Sequence, residues 1–133
     1  MPWSRLRRDQ DDNVIGVLPQ AYQRREDEES ISVNWLERTP GSRKAQLIQA
    51  VVMIRNTQPS GRVGAKARLA VSEVQTFKTV CRNQGSKVRI VHDPIDGNEP
   101  HSEVRQIPRD DQMLLDAIVK EAVEGHYPIG DLV

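Results

Sequence analysis

Residues 88–104, V-R-I-V-H-D-P-I-D-G-N-E-P-H-S-E-V, constrain the fold of this chain more than any other stretch. An apolar run of strand length ends at His92. Asp93-Pro94 and Asp96-Gly97 then supply turn chemistry, because proline presets φ and glycine accepts the left-handed region. The spacing predicts a strand over 87–92, a polar loop over 93–101 and a second short strand over 102–107. Side chains alternate across a strand, so Val88, Ile90 and His92 share one face and Arg89 and Val91 the other. A chain built on this stretch needs a sheet to receive it.

The clearest partner is Ser30 to Leu36. Ile31, Val33 and Trp35 fall on one face and Ser30, Ser32 and Asn34 on the other, the period of a half-buried strand. Further strands are expected over 14–18, where Pro19 ends the ladder, and over 67–74. A helix is expected over 43–55, capped by Ser42, with Leu47, Ile48, Val51, Val52 and Ile54 as its apolar stripe. A short helix carrying Phe77, Val80 and Cys81 follows Thr76 as cap and stops at Gly85. It could join its flanking strands as a parallel crossover, since the connection over 75–86 is near the minimum length. A last helix is expected over 109–124, with Leu114, Leu115, Ile118, Val119, Ala122 and Val123 inward and Gly125 as its stop. The expected class is α+β: a single domain over 14–133, with a small mixed β-sheet of four to five strands packed against two main helices. Residues 1–13 read as a flexible N-terminal arm.

Composition limits the core and the partners. The chain has 133 residues, a single-domain length. It holds two tryptophans, two tyrosines and one phenylalanine, so its core must be mostly Val, Ile, Leu and Ala. Lysine plus arginine equals aspartate plus glutamate at 19 each, and this balance indicates no nucleic-acid partner. No stretch has the length and apolarity of a membrane span or a signal peptide. The one cysteine, Cys81, rules out an intrachain disulfide and a cysteine-based zinc site. A cytoplasmic location is the expectation. Gly61, Gly64 and Lys66 fail the spacing of a phosphate loop.

The candidate chemistry lies in the turn-rich loop. His92, Asp93, His101 and Glu103 are the candidate catalytic residues: a histidine general base with an orienting carboxylate, or ligands for a divalent metal. Their spacing fits no standard metal motif, and the residues name no cofactor. Ser32, Asn34 and Asn98 are candidate ligand-binding residues, the first two from the polar face of strand 30–36. Glu73, late in the strand expected beside 87–92, could complete a carboxylate pair with Asp93. Cys81 reads as a buried structural thiol.

The segments S-V-N-W-L-E (32–37), A-V-x-x-V (70–74) and H-D-P-x-x-x-N-x-x-H-S-E (92–103) resemble a group of small uncharacterised bacterial proteins over roughly residues 17–124. The resemblance implies a bacterial, cytoplasmic setting and one site shared by strand and loop; it implies no mechanism. Two functions follow as expectations. One is a small accessory or binding protein that takes a protein partner or small ligand through the 92–103 loop and the polar face of strand 30–36. The alternative is a small hydrolase or transferase acting on a nucleotide or phosphoester with histidine–carboxylate or metal chemistry.

Overall fold

The computed structural model describes residues 6–24, 27–57 and 67–132. In chain order the strands are β1 (Leu6–Arg8), β2 (Val14–Val17), β3 (Ser30–Asn34), β4 (Arg68–Ser72), β5 (Arg89–His92), β6 (His101–Arg105) and β7 (Val123–Pro128). The helices are α1 (Arg43–Thr57), α2 (Val74–Asn83) and α3 (Gln112–Ala117). Short 3₁₀ turns lie at Pro19–Tyr22, Leu36–Arg38 and Ile129–Asp131.

The α+β class holds, and the strands divide among three antiparallel sheets: β1-β2, β3-β6-β5 and β4-β7. Thus the sheet that carries the turn-rich loop has three strands instead of four or five. Part of the expected arm is strand, because Leu6–Arg8 pairs with β2. Asp9 makes that reversal by accepting from the amides of Asp11 and Asn13, both at 2.9 Å. Gly61, Gly64 and Lys66 lie outside the described residues.

Local sequence accounts for most element ends. The Ser42 hydroxyl accepts from the Ala45 amide at 3.2 Å and starts α1. The cap of α2 is Glu73 and not Thr76. The Glu73 carboxylate accepts from the amide and the hydroxyl of Thr76 at 2.6 and 2.9 Å, and the backbone bonds hold it below the usual carboxylate range. Gly85, at φ +81°, closes α2 in the left-handed region.

Two expectations change. β4 and β5 do not form a parallel crossover: β4 pairs with β7. The intervening α2 sinks Phe77, Val80 and Cys81 into a cluster with Leu114 and Ile118, and β4 takes its partner from far along the chain. The helix expected over 109–124 is also shorter. Asp111 caps α3 by accepting from the Leu114 amide at 3.0 Å. A wide π-helical turn, Ile118–Ala122, then leads straight into β7. Val123 satisfies helical and strand periods alike. Gly125 is a strand residue with the Tyr127 ring beside it; a Cβ there would sit 3.4 Å from the Tyr127 hydroxyl oxygen.

The core has two parts. One gathers α2, α3 and the inner face of the three-stranded sheet around Phe77, Val104, Leu114 and Ile118, with Ile31, Val33 and Ile90 packed against it. The other joins α1 to the β4-β7 pair through Val51, Ala67 and Ile129. Among the described residues no helix is long and apolar enough to cross a membrane.

Candidate functional site

Register decides which candidate residues can meet. β3 pairs with β6 as Ser30↔Arg105, Ser32↔Glu103 and Asn34↔His101. β5 pairs with β6 as Arg89↔Arg105, Val91↔Glu103 and His92↔Ser102. Residues directly opposite share a face and successive residues alternate. His101, Glu103, Ser30, Ser32 and Asn34 therefore share the outer face. His92 belongs to the inner face with Ser102, Val104, Ile31 and Val33. The two histidines are on opposite sides of the sheet.

Each histidine is tied to the loop backbone. His92 Nε2 lies 2.8 Å from the Glu99 carbonyl oxygen, and His101 Nδ1 lies 2.7 Å from that of Asp93. A carbonyl oxygen only accepts, so in both bonds the histidine donates. Glu99 Oε1 is a second neighbour of His92 at 3.3 Å, and Asp93 Oδ2 lies 3.9 Å from His101 Nδ1.

The outer face brings three of the four candidate catalytic residues side by side: His101, Asp93 and Glu103. The Ser30 hydroxyl donates to Glu103 and holds its carboxyl below the usual range; partial burial opposes this, and Asp93 and Arg105 assist. Arg105 lies 3.2 Å from Glu103 Oε1. Glu73 is elsewhere, spent on its helix cap. Among the described residues no group of three or more His, Cys, Asp or Glu side chains is disposed to hold a metal ion.

Asn98 is the best-buried polar residue of the loop, at 2% exposure. Its amide exchanges two hydrogen bonds with that of Asn34, each 2.9 Å. The loop reaches this position through a tight reversal: Ile95 and Asn98 bridge, and Gly97 takes φ +81°. The pair, with the Trp35 amide on the Pro100 carbonyl at 2.9 Å, clamps the loop to the end of β3.

Between the two core clusters lies a cleft of about 430 Å³. All five residues of β3 line one wall, together with Ile90, Asn98, His101, Ser102 and Val104. The facing wall is Leu47, Ala50, Ile54 and Thr57 of α1 with residues 69–72 of β4. Tyr22 and Phe77 also line it; the Tyr22 hydroxyl meets that of Ser72 at 3.3 Å, and burial pushes its phenol up from the usual value. Ser32, Asn34 and Asn98, the residues expected to bind a ligand, all stand on this wall. Tyr22 and the β4 wall were not singled out in the sequence. No local signal marks them, because the cleft exists only where β4, α1 and β3 come together. Comparison with known protein families, with curated proteins and with solved structures finds no match.

Proposed function

We propose that this chain is a binding protein that takes its ligand in the cleft between β3 and β4. The observation that carries the reading is the cleft itself. Protein interiors are close-packed, with few voids larger than a water molecule. An opening of about 430 Å³ between two clusters of one small domain is of ligand-site size, about 300–1,000 Å³. Its wall mixes apolar side chains such as Ile31, Val33, Leu69 and Phe77 with polar and charged ones, among them Asn98, Ser72, Tyr22 and Arg24; ligand sites combine apolar lining with polar groups that fix orientation. The strand and loop joined by the resemblance meet on this wall.

The hydrolase or transferase alternative asks for His92 or His101 as acid or base, with Asp93 and Glu103 as the carboxylates. The register sends His92 to the other face of the sheet, which leaves His101 alone beside Asp93 and Glu103; the cleft, with its larger lining, favours binding.

The test is an amide-shift titration with a panel of neutral fragments. Shifts should gather at residues 31–34 and 69–72 and spare Arg89 and Arg105. Shifts confined to Arg89, Val91, Glu103 and Arg105, outside the cleft lining, or none at millimolar fragment, would remove the reading.

A further inference from the structure

The backbone on the two sides of the cleft has a property that its side chains do not reveal. In an antiparallel pair, alternate residues turn their N–H and C=O groups toward the partner and the others turn them away. The Trp35 amide donates to the Pro100 carbonyl, so residues 35, 33 and 31 face β6. Ser30, Ser32 and Asn34 then turn their peptide groups away from the sheet. β3 is an edge of the order β3-β6-β5, and no described residue pairs with these groups.

The same holds for β4. The Ile129 amide donates to the Ala67 carbonyl at 3.0 Å, so residues 67, 69 and 71 face β7. Ala70 turns its N–H and C=O outward, on the side where β4 has no strand neighbour. Ser32 and Ala70 both line the cleft.

Edge strands are ordinarily guarded by charge, proline or a bulge. β5, the other edge, carries the exposed Arg89. β3 reads Ser-Ile-Ser-Val-Asn, with no charge, no proline and an unbroken register. An unguarded edge facing a cleft suits strand addition, in which backbone bonds give affinity and alternate pockets give specificity.

Building on the cleft reading, we infer that the occupant is an extended peptide segment of a partner protein that adds to the β3 edge. Its backbone pairs with Ser30, Ser32 and Asn34, and its far edge faces β4. Side chains of the added strand continue the rows of β3. Those on the inner side meet the row of Ile31 and Val33 and are apolar; those on the other side extend the row of Ser30, Ser32 and Asn34 and are polar. Of the four acidic and basic side chains on the wall, three are already engaged and the fourth, Glu28, is exposed. Arg24 donates to the Ile107 and Glu28 carbonyls, and Arg43 pairs with Glu37 at 3.4 Å. The segment is therefore of alternating apolar and polar residues, uncharged in its centre and free of proline.

The test begins with hydrogen exchange of the free protein. The Ser32, Asn34 and Ala70 amides should exchange fast while Val33 and Val104 are protected. Strong protection of Ser32 and Ala70 would mean that the chain's own residues already fill the edge, and would overturn the proposal. Hexapeptides alternating Val, Leu or Phe with Thr are then titrated by fluorescence anisotropy. Binding should slow exchange at Ser32 and weaken at least about tenfold when alternate peptide amides on the pairing edge are N-methylated, which removes two or three hydrogen bonds. Ser32→Pro should weaken binding likewise and keep the β3-β6 ladder, because its lost N–H points outward; the methylated peptides give the same answer without altering the protein. Failure of every hexapeptide to bind, or equal binding of methylated and plain ones, overturns strand addition. Neutral fragments that still shift residues 31–34 and 69–72 would leave the cleft reading standing; their failure removes both.

Discussion

Replacing Asn34 and Asn98 by alanine, singly and together, probes the clamp between loop and strand. Both amide bonds of the pair are 2.9 Å. Asn98→Ala removes two bonds, each worth about 1 kcal/mol net, so it should cost about 2 kcal/mol and somewhat more for lost packing. Asn34→Ala should cost more, roughly 3 kcal/mol, because it strands the more deeply buried partner: Asn98 is 2% exposed and its amide would keep no bond. The double variant strands nothing and should cost about what the worse single does. The coupling is then about 2 kcal/mol, well outside the scatter of about 0.5 kcal/mol for independent sites. Urea unfolding measures it, with m unchanged. For 133 residues the entropy of unfolding is about 0.28 kcal/mol/K, so each single variant should melt roughly 7–11 °C lower. Additive costs, or an Asn98→Ala cost below about 0.5 kcal/mol, would refute the clamp.

Other outcomes follow from groups around the site and core. Asp111→Ala removes the cap of α3 and should lower stability by about 1 kcal/mol, read from the urea midpoint, with Asp111→Asn largely restoring it. Cys81 is fully buried and its thiol is pushed up to about 11 by burial; a disulfide reagent at pH 8 should label it only at the rate of unfolding, and fast stoichiometric labelling of the native protein would contradict that placement. Glu103 has its folded pKa lowered, first by Ser30, so its stabilisation is present above the ordinary carboxylate range and lost as pH falls through the folded value. The wild type's advantage over Ser30→Ala should accordingly be full at pH 7 and shrink at pH 3, as read from urea midpoints; an advantage that grows in acid would reverse the assignment.

What was legible in the sequence was local. The alternation of Ile31 and Val33 against Ser30 and Ser32 gives β3, the Ser42 cap gives α1, and the turn pairs over 93–98 give a reversal at Gly97. What was not legible depends on contacts between distant residues. Asn34 and Asn98 are 64 positions apart, and neither residue announces the other. β4 reads as a strand, but nothing in residues 68–72 says that it will choose β7 over β5. At Val123 the apolar pattern fits both periods, and the pairing with Ser72 decides for strand. The candidate catalytic loop was rich in the right groups, and the pleat sorted them onto two faces. The cleft had no sequence signature, since its walls come from segments that are each ordinary alone.

The run from α3 into β7 has a bearing on how the chain is made. Leu114, Ile118 and Ala122 belong to one cluster and Ile129 to the other. Chains leave the ribosome from the N-terminal end, so the first cluster has all its members once residue 122 is out. Val51 and Ala67 must wait for Ile129, and β4 stays bare on both edges until β7 emerges. During that interval β3 and β4 each offer an open edge, and nothing yet separates the correct pairing from a direct union of the two. The nascent protein is thus most exposed to misassembly at the elements that later frame the cleft, and a strand-shielding chaperone engaged at that moment would guide the outcome.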